Sequence, residues 1–214
     1  MGQVSFTVSK KFAWENKLTD KVAKVLGAFG MTVQRLRENA ITHQAKLELK
    51  DGDICYLTGA SGSGKSVLLR QMYESIDSND KIMLNDIELE SDKTCVDAID
   101  DDYLNTLKVL SRAGLSDVFC VLNQPLHLSQ GQKYRYQLAK AICSGKRFVF
   151  ADEFCSNLDR ITAAVIAHNI RKFANKHKVI FVLASAHDDL LCDLLPEVIV
   201  IKHLAGEAEV VYKN

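Results

Sequence analysis

One eight-residue stretch constrains this chain more than any other: Gly59-Ala60-Ser61-Gly62-Ser63-Gly64-Lys65-Ser66. It satisfies G-x-x-x-x-G-K-[ST] in full. The apolar run Ile54 to Leu57 enters it and a helical pattern from Lys65 to Ile76 leaves it, which is the context the motif requires. Glycines let successive backbone N–H groups turn inward and approach phosphate oxygens. The following helix adds the positive end of its dipole. Lys65 is expected to reach the β- and γ-phosphates, and the Ser66 hydroxyl to ligate Mg2+.

The rest of the chain supplies a sheet to carry that loop. Residues 3–8 alternate like a strand. Residues 16–28 show helical spacing through Leu18, Val22, Val25 and Leu26, broken by Gly27 and Gly30. Residues 45–50 alternate again, with Leu47 and Leu49 facing one way, and Asp51-Gly52 signals a tight turn. Ile82–Leu84 reads as a short strand. Residues 86–102 are acidic, residues 103–122 read as short helices interrupted at Gly114, and a long helix runs from about Ser129 to Cys143. Then strand and helix alternate: Phe148–Ala151, a helix over 160–175, Val179–Ala184 and Val198–Ile201. Continuous apolar strands alternating with helices mark a parallel α/β sheet. The acidic, helical middle, about 86–145, reads as an insertion into it. Residues 1–44 are expected to form a lead-in strand and helix packed on the core, and 45–214 the main domain.

Composition narrows the partners. The 214 residues hold 27 basic and 27 acidic side chains, so net charge offers no argument for nucleic acid or an anionic membrane. Cys55, Cys95, Cys120, Cys143, Cys155 and Cys192 contain no C-x-x-C pair, which leaves a zinc site unsupported and reads as reduced thiols in a cytoplasmic protein. Met1–Lys11 lacks the apolar core of a signal peptide, and no run of 18 apolar residues provides a membrane span.

Two further motifs follow the loop. Phe148-Val149-Phe150-Ala151-Asp152-Glu153 delivers two acids at the carboxyl end of a buried strand, the edge where open α/β sheets bind ligands. Asp152 is placed to hold Mg2+ through water, and Glu153 to orient and deprotonate an attacking water. Alone, such a pair also fits a solvated turn. Leu128-Ser129-Gln130-Gly131-Gln132 opens the long helix with a serine, a second anion site that alone also fits an ordinary N-cap.

Together these motifs, with Ser156-Asn157-Leu158-Asp159 and Ala186-His187-Asp188, resemble the ATP-binding cassette (ABC) family over most of residues 45–205. The resemblance implies an α/β fold with a RecA-like P-loop NTPase core of ABC type, a mostly parallel sheet and a short inserted helical subdomain. It implies an ATP hydrolase using ATP and Mg2+. It also implies a homodimer in which two ATP molecules are sandwiched head-to-tail. Each site would use Gly59 to Ser66, Asp152, Glu153 and the switch histidine His187 of one copy. Ser129 and Gly131, beside Gln132, would come from the other copy. Asp159 would couple the two sites.

The pattern departs from the family at three places. Gln130 stands where the family usually has glycine, and Phe154 where proline is common. No Q-loop glutamine is evident, since Asn85 and Asp86 follow the Ile82–Leu84 strand and Gln124 lies too near the signature. That loss favours a soluble, non-transport ATPase acting on a macromolecular partner over the nucleotide-binding subunit of a membrane transporter. A very slow nucleotide-dependent binding module is the third reading, against which Glu153 stands. Phe12, Trp14 and Phe29 are candidates to stack on adenine, and each also fits core packing. Residues 1–44 resemble the lead-in of a smaller group of stand-alone cassettes, some joined to a predicted acetyltransferase domain.

Overall fold

A computed structural model describes residues 2–38, 41–204 and 206–213. Strand β1 (Gln3–Phe12) pairs antiparallel with β2 (Ile41–Lys50), Gln3 opposite Lys50 and Phe12 opposite Ile41. Between them lie helices α1 (Asp20–Ala28) and α2 (Val33–Glu38). Thr19 caps α1 by accepting the Val22 N–H, yet neither helix contains a buried residue. The lead-in therefore splits in two. Its strand packs on the core, with Phe6 and Val8 buried, whereas its helix does not. The expected boundary at residue 44 falls inside β2.

Next come β3 (Ile54–Thr58), buried throughout, and α3 (Lys65–Glu74). They are followed by β4 (Lys81–Met83), α4 (Tyr103–Arg112), α5 (Val118–Val121) and α6 (Gln130–Cys143). The chain closes with β5 (Phe148–Ala151), α7 (Arg160–His177), β6 (Ile180–Ala184), α8 (Leu191–Leu194), β7 (Val198–Ile201) and β8 (Glu209–Tyr212). Among the described residues, one sheet has the order β4-β5-β6-β3-β7-β8. All its pairings are parallel except β7 with β8. The architecture is the expected P-loop core. The antiparallel edge strand β8 and the short helices α2 and α8 were not foreseen. The inserted segment is helical only from Tyr103, because residues 86–102 turn without forming a regular helix.

Side chains alternate across the sheet, so β3 feeds two cores. Ile54 and Tyr56 join α6 and α7 in one apolar cluster. Cys55 and Leu57 join α3 and the β1–β2 ribbon in the other. At the amino ends of the strands Arg147 clamps the Asp51 turn, donating from Nε and Nη2 to one Asp51 oxygen at 2.9 and 2.8 Å. That pairing holds the Asp51 carboxyl below its usual range against the opposing effect of burial. The carboxyl ends are left free for ligand.

Candidate nucleotide site

The largest cavity described, about 480 Å³, lies at those carboxyl ends. Its lining brings together Ser61, Gly62, Gly64, Lys65 and Ser66 of the loop with Asp152 and Glu153 beyond β5 and Ser185 beyond β6. Residues more than 80 positions apart in sequence thus converge because β3, β5 and β6 are adjacent and parallel. Lys65 Nζ donates to the carbonyls of Gly59 at 2.7 Å and Ala60 at 3.0 Å, so its ammonium is held over the loop. The Ser63 hydroxyl is fully buried within the loop and has no hydrogen-bond partner among the described residues. Gly64 has φ 100°, and a Cβ there would meet the His43 ring at 2.3 Å, so glycine is required on both counts.

His43 is the residue that motif reading missed. It lines the cavity, is buried, and has its pKa lowered, first by burial and then by the nearby Lys202. A signal was available: His43, Ala45, Leu47 and Leu49 are all buried on one face of β2, so the alternation seen at Leu47 and Leu49 extends upstream to it. The adenine candidates fare differently. Trp14 and Phe29 do not line the cavity, Phe29 is 80% exposed, and the Phe12 side chain lies outside the described residues.

The acidic pair sits on a tense turn. Glu153 has φ 50° and Cys155 φ 57°, a left-handed region costly for side chains of this kind. Three bonds secure the turn. The Asp152 carboxylate accepts the Glu153 N–H at 3.0 Å, Phe154 N–H reaches the Ala184 carbonyl at 2.7 Å, and Cys155 N–H reaches the Tyr134 hydroxyl at 3.1 Å. Asn85 lies in the turn just after β4. Its Nδ2 donates to the Asp152 carbonyl at 3.2 Å and its Oδ1 accepts the Asp152 N–H at 2.9 Å.

The remaining predicted residues lie elsewhere. His187 faces a neighbouring cavity of about 190 Å³ with Cys155, Ser156 and Asp189, and its carbonyl accepts the buried Tyr56 hydroxyl at 2.6 Å. Ser129 caps α6 in a reciprocal box with Gln132, whose Oε1 accepts the Ser129 N–H at 2.9 Å. The Gln132 amide is therefore engaged within its own helix, and its Nε2 donates to Cys120 Sγ at 2.9 Å. Gly131 packs against the Asn157–Leu158 loop, where a Cβ would come within 3.1 Å of Leu158. Asp159 caps α7 by accepting the Thr162 N–H at 2.9 Å, and hydrogen bonding from the Thr162 side chain first, then from its N–H, lowers its pKa. Ser129, Gly131, Gln132 and Asp159 do not line the cavity of their own chain.

A family model described as ABC transporter matches residues 42–103, spanning the loop and the start of the insertion. The lipoprotein-releasing system ATP-binding protein LolD of Ehrlichia chaffeensis is 28% identical over 207 residues, covering 78% of this chain and 84% of that protein. This chain carries an ATP-binding cassette ATPase domain. The aliphatic sulfonates import ATP-binding protein SsuB of Albidiferax ferrireducens is 30% identical to the cassette over 151 residues, 60% of this chain and 54% of that one. The match to protein brown of Drosophila virilis, 25% identical over 184 residues, spans 28% of its length. Among solved structures, the dimeric post-hydrolysis state of the ATP-binding cassette MJ0796, bound to ADP and Pi, shares the fold at TM-score 0.66 and 20% identity. It covers 82% of this chain and 92% of that one. The expected non-transport role finds no support here, because LolD and SsuB are named for transport systems. No helix among the described residues is long and apolar enough to cross a membrane.

Proposed function

We propose that the cassette binds MgATP in the cavity beside Lys65, closes head-to-tail with a second copy, hydrolyses the nucleotide and thereby drives a membrane-embedded transport partner. The observation that carries this reading is the convergence of Lys65, Ser66, Asp152 and Glu153 on one cavity. The donor set fits the ligand: a loop of glycines, a lysine ammonium and the Ser66 hydroxyl, with two acids opposite. A bound Mg2+ supplies positive charge that neutralises phosphate oxygens.

The protein's own residues do the rest. The Lys65 ammonium, released from its two loop carbonyls, stabilises negative charge on the terminal phosphates. Ser66 and Asp152 would hold the metal. Glu153 takes the proton from the attacking water. His187 would have to swing from its neighbouring cavity toward the phosphates. Ser129 and Gly131, at a helix N-terminus open to solvent, would come from the second copy; that solved cassettes of this fold are dimeric supports a homodimer. Transport coupling is supported by the relatives' names.

The test has three arms. Lys65→Ala is expected to lose nucleotide binding by fluorescent-ATP titration. Glu153→Gln is expected to slow phosphate release by about 10²–10⁴-fold and to sediment as a dimer with ATP. Membranes from cells expressing Glu153→Gln should retain the chain with ATP and release it when Lys65→Ala is added. Retention that ignores ATP would remove the transport reading and leave the ATPase reading standing.

A further inference from the structure

The cassette carries two apolar patches that its own fold leaves uncovered, one beside each half of the proposed composite site. The first is the arm between β1 and β2. Over residues 13–38 no side chain is buried, and Leu18, Val25 and Phe29 face solvent. The arm leaves the ribbon at the Phe12–Ile41 pair, two residues from His43, which lines the nucleotide cavity. The arm therefore springs from the rim of that cavity. The second patch is on α5 and the turn after it, where Val118, Phe119, Leu122 and Leu126 are exposed, Phe119 by 83%. This face leads directly into Ser129 and is fastened to the start of α6 by the bond from Gln132 to Cys120.

Charge tells the two patches apart from ordinary surface. Residues 13–38 carry five basic side chains against three acidic, a net +2, with Lys10 and Lys11 at the adjoining end of β1, while residues 85–129 carry nine acidic against three basic, a net −6. In a chain whose total charge is zero, both the positive and the negative member of a complementary pair are present in one molecule. Each has an apolar centre that depletes water and a charged surround that sets orientation. A twofold pairing that brings Ser129 of one copy to the Gly59–Ser66 loop of the other carries the second patch toward the arm, and symmetry makes the contact twice.

We propose that in the closed dimer the 13–38 arm of each copy docks on the Val118–Leu126 face of the other. This rests on the head-to-tail reading above and adds to it a contact outside the nucleotide itself. The docking supplies a role for the acidic insertion.

Charge exchange in the Glu153→Gln background tests it by sedimentation with ATP. Phe29→Glu and Phe119→Lys are each expected to weaken dimerisation about tenfold or more, because each sets a like charge against the partner's surround. Combined in one chain, so that each new glutamate meets the partner's new lysine, they should recover most of that loss at low salt and lose the recovery at 1 M salt, where the Debye length is about 3 Å. Monomer ATP binding should be unchanged in all three, showing that the fold is intact. Dimerisation equal to the parent in both single variants overturns the docking and leaves head-to-tail closure standing, as would occur if a different protein covers these faces. Weakening without recovery overturns the pairing of the two patches. Absence of any ATP-driven dimer in Glu153→Gln alone overturns the head-to-tail reading and this inference together.

Discussion

Tyr134→Phe isolates one bond at the catalytic turn. The hydroxyl is buried and accepts the N–H of Cys155, itself only 4% exposed. Burial raises the Tyr134 pKa well above its usual value, so the phenol stays neutral at working pH. Phenylalanine keeps the ring and removes the acceptor, leaving a buried N–H unpaired at a cost of about 1–3 kcal/mol. For a chain of this size about 2–4 °C of melting temperature accompanies each kcal/mol, so a drop of about 2–12 °C is expected by calorimetry. The same bond restrains a turn in which Glu153 and Cys155 both hold positive φ. If that strain, about 1–3 kcal/mol per residue, relaxes, the competent pose of Glu153 becomes a minority state. At about 1.4 kcal/mol per decade, kcat for ATP should fall roughly tenfold while monomer affinity for ATP holds. Tyr136→Phe is the control: it removes a bond to Glu90 at 2.7 Å, within the inserted segment, and should cost stability without costing turnover. A Tyr134→Phe protein melting within about 1 °C of the parent with unchanged kcat would refute the argument. Equal losses of turnover in both variants would refute it too.

Other outcomes follow from the same contacts. Gly64→Ala must accept a positive φ and displace the His43 ring, so ATP binding by calorimetry should weaken by tenfold or more, as about 1.4 kcal/mol or more of strain implies. Ser129→Arg should leave fluorescent-ATP binding by the monomer intact and abolish ATP-driven dimers in sedimentation; normal dimers would exclude that helix end from the interface. His43 has a folded-state pKa below its ordinary 6.5, so its neutral form is favoured by folding. Its stabilising contribution is complete above 6.5 and declines as pH falls through that value toward the lower folded one. Melting temperature should thus be level near neutrality and fall in mild acid, less steeply in His43→Gln; an unchanged slope would remove His43 as the cause.

The phosphate loop, the acidic pair and the parallel core were legible because each is local: glycine spacing, an apolar run ending in Asp-Glu, and strand–helix alternation. What escaped depends on neighbours distant in sequence. His43 reads as one residue of an alternating strand until folding sets it against Gly64. Asn85 reads as a lost glutamine until β4 and β5 pair and bring it to Asp152. Strand β8 was hidden because its exposed Glu209–Tyr212 segment has little burial to enforce a pattern. Helix α1 showed the right periodicity, but an apolar stripe does not say which molecule covers it. His187 lies past β6, yet it lines the neighbouring cavity with Asp189, while Ser185 and Ala186 before it line the main one.

The alternation along β3 makes adjacent residues answer to different masters. Cys55 packs in the layer that carries α3, the helix that leaves the phosphate loop. One step along, Tyr56 presses on the opposite layer and, through its hydroxyl, on the carbonyl of His187. A single strand thus forms a partition wall between the layer behind the phosphate loop and the layer that reaches His187. Substitutions one residue apart on it should separate, in a kinetic assay, the strength with which nucleotide is held from the speed with which it is spent.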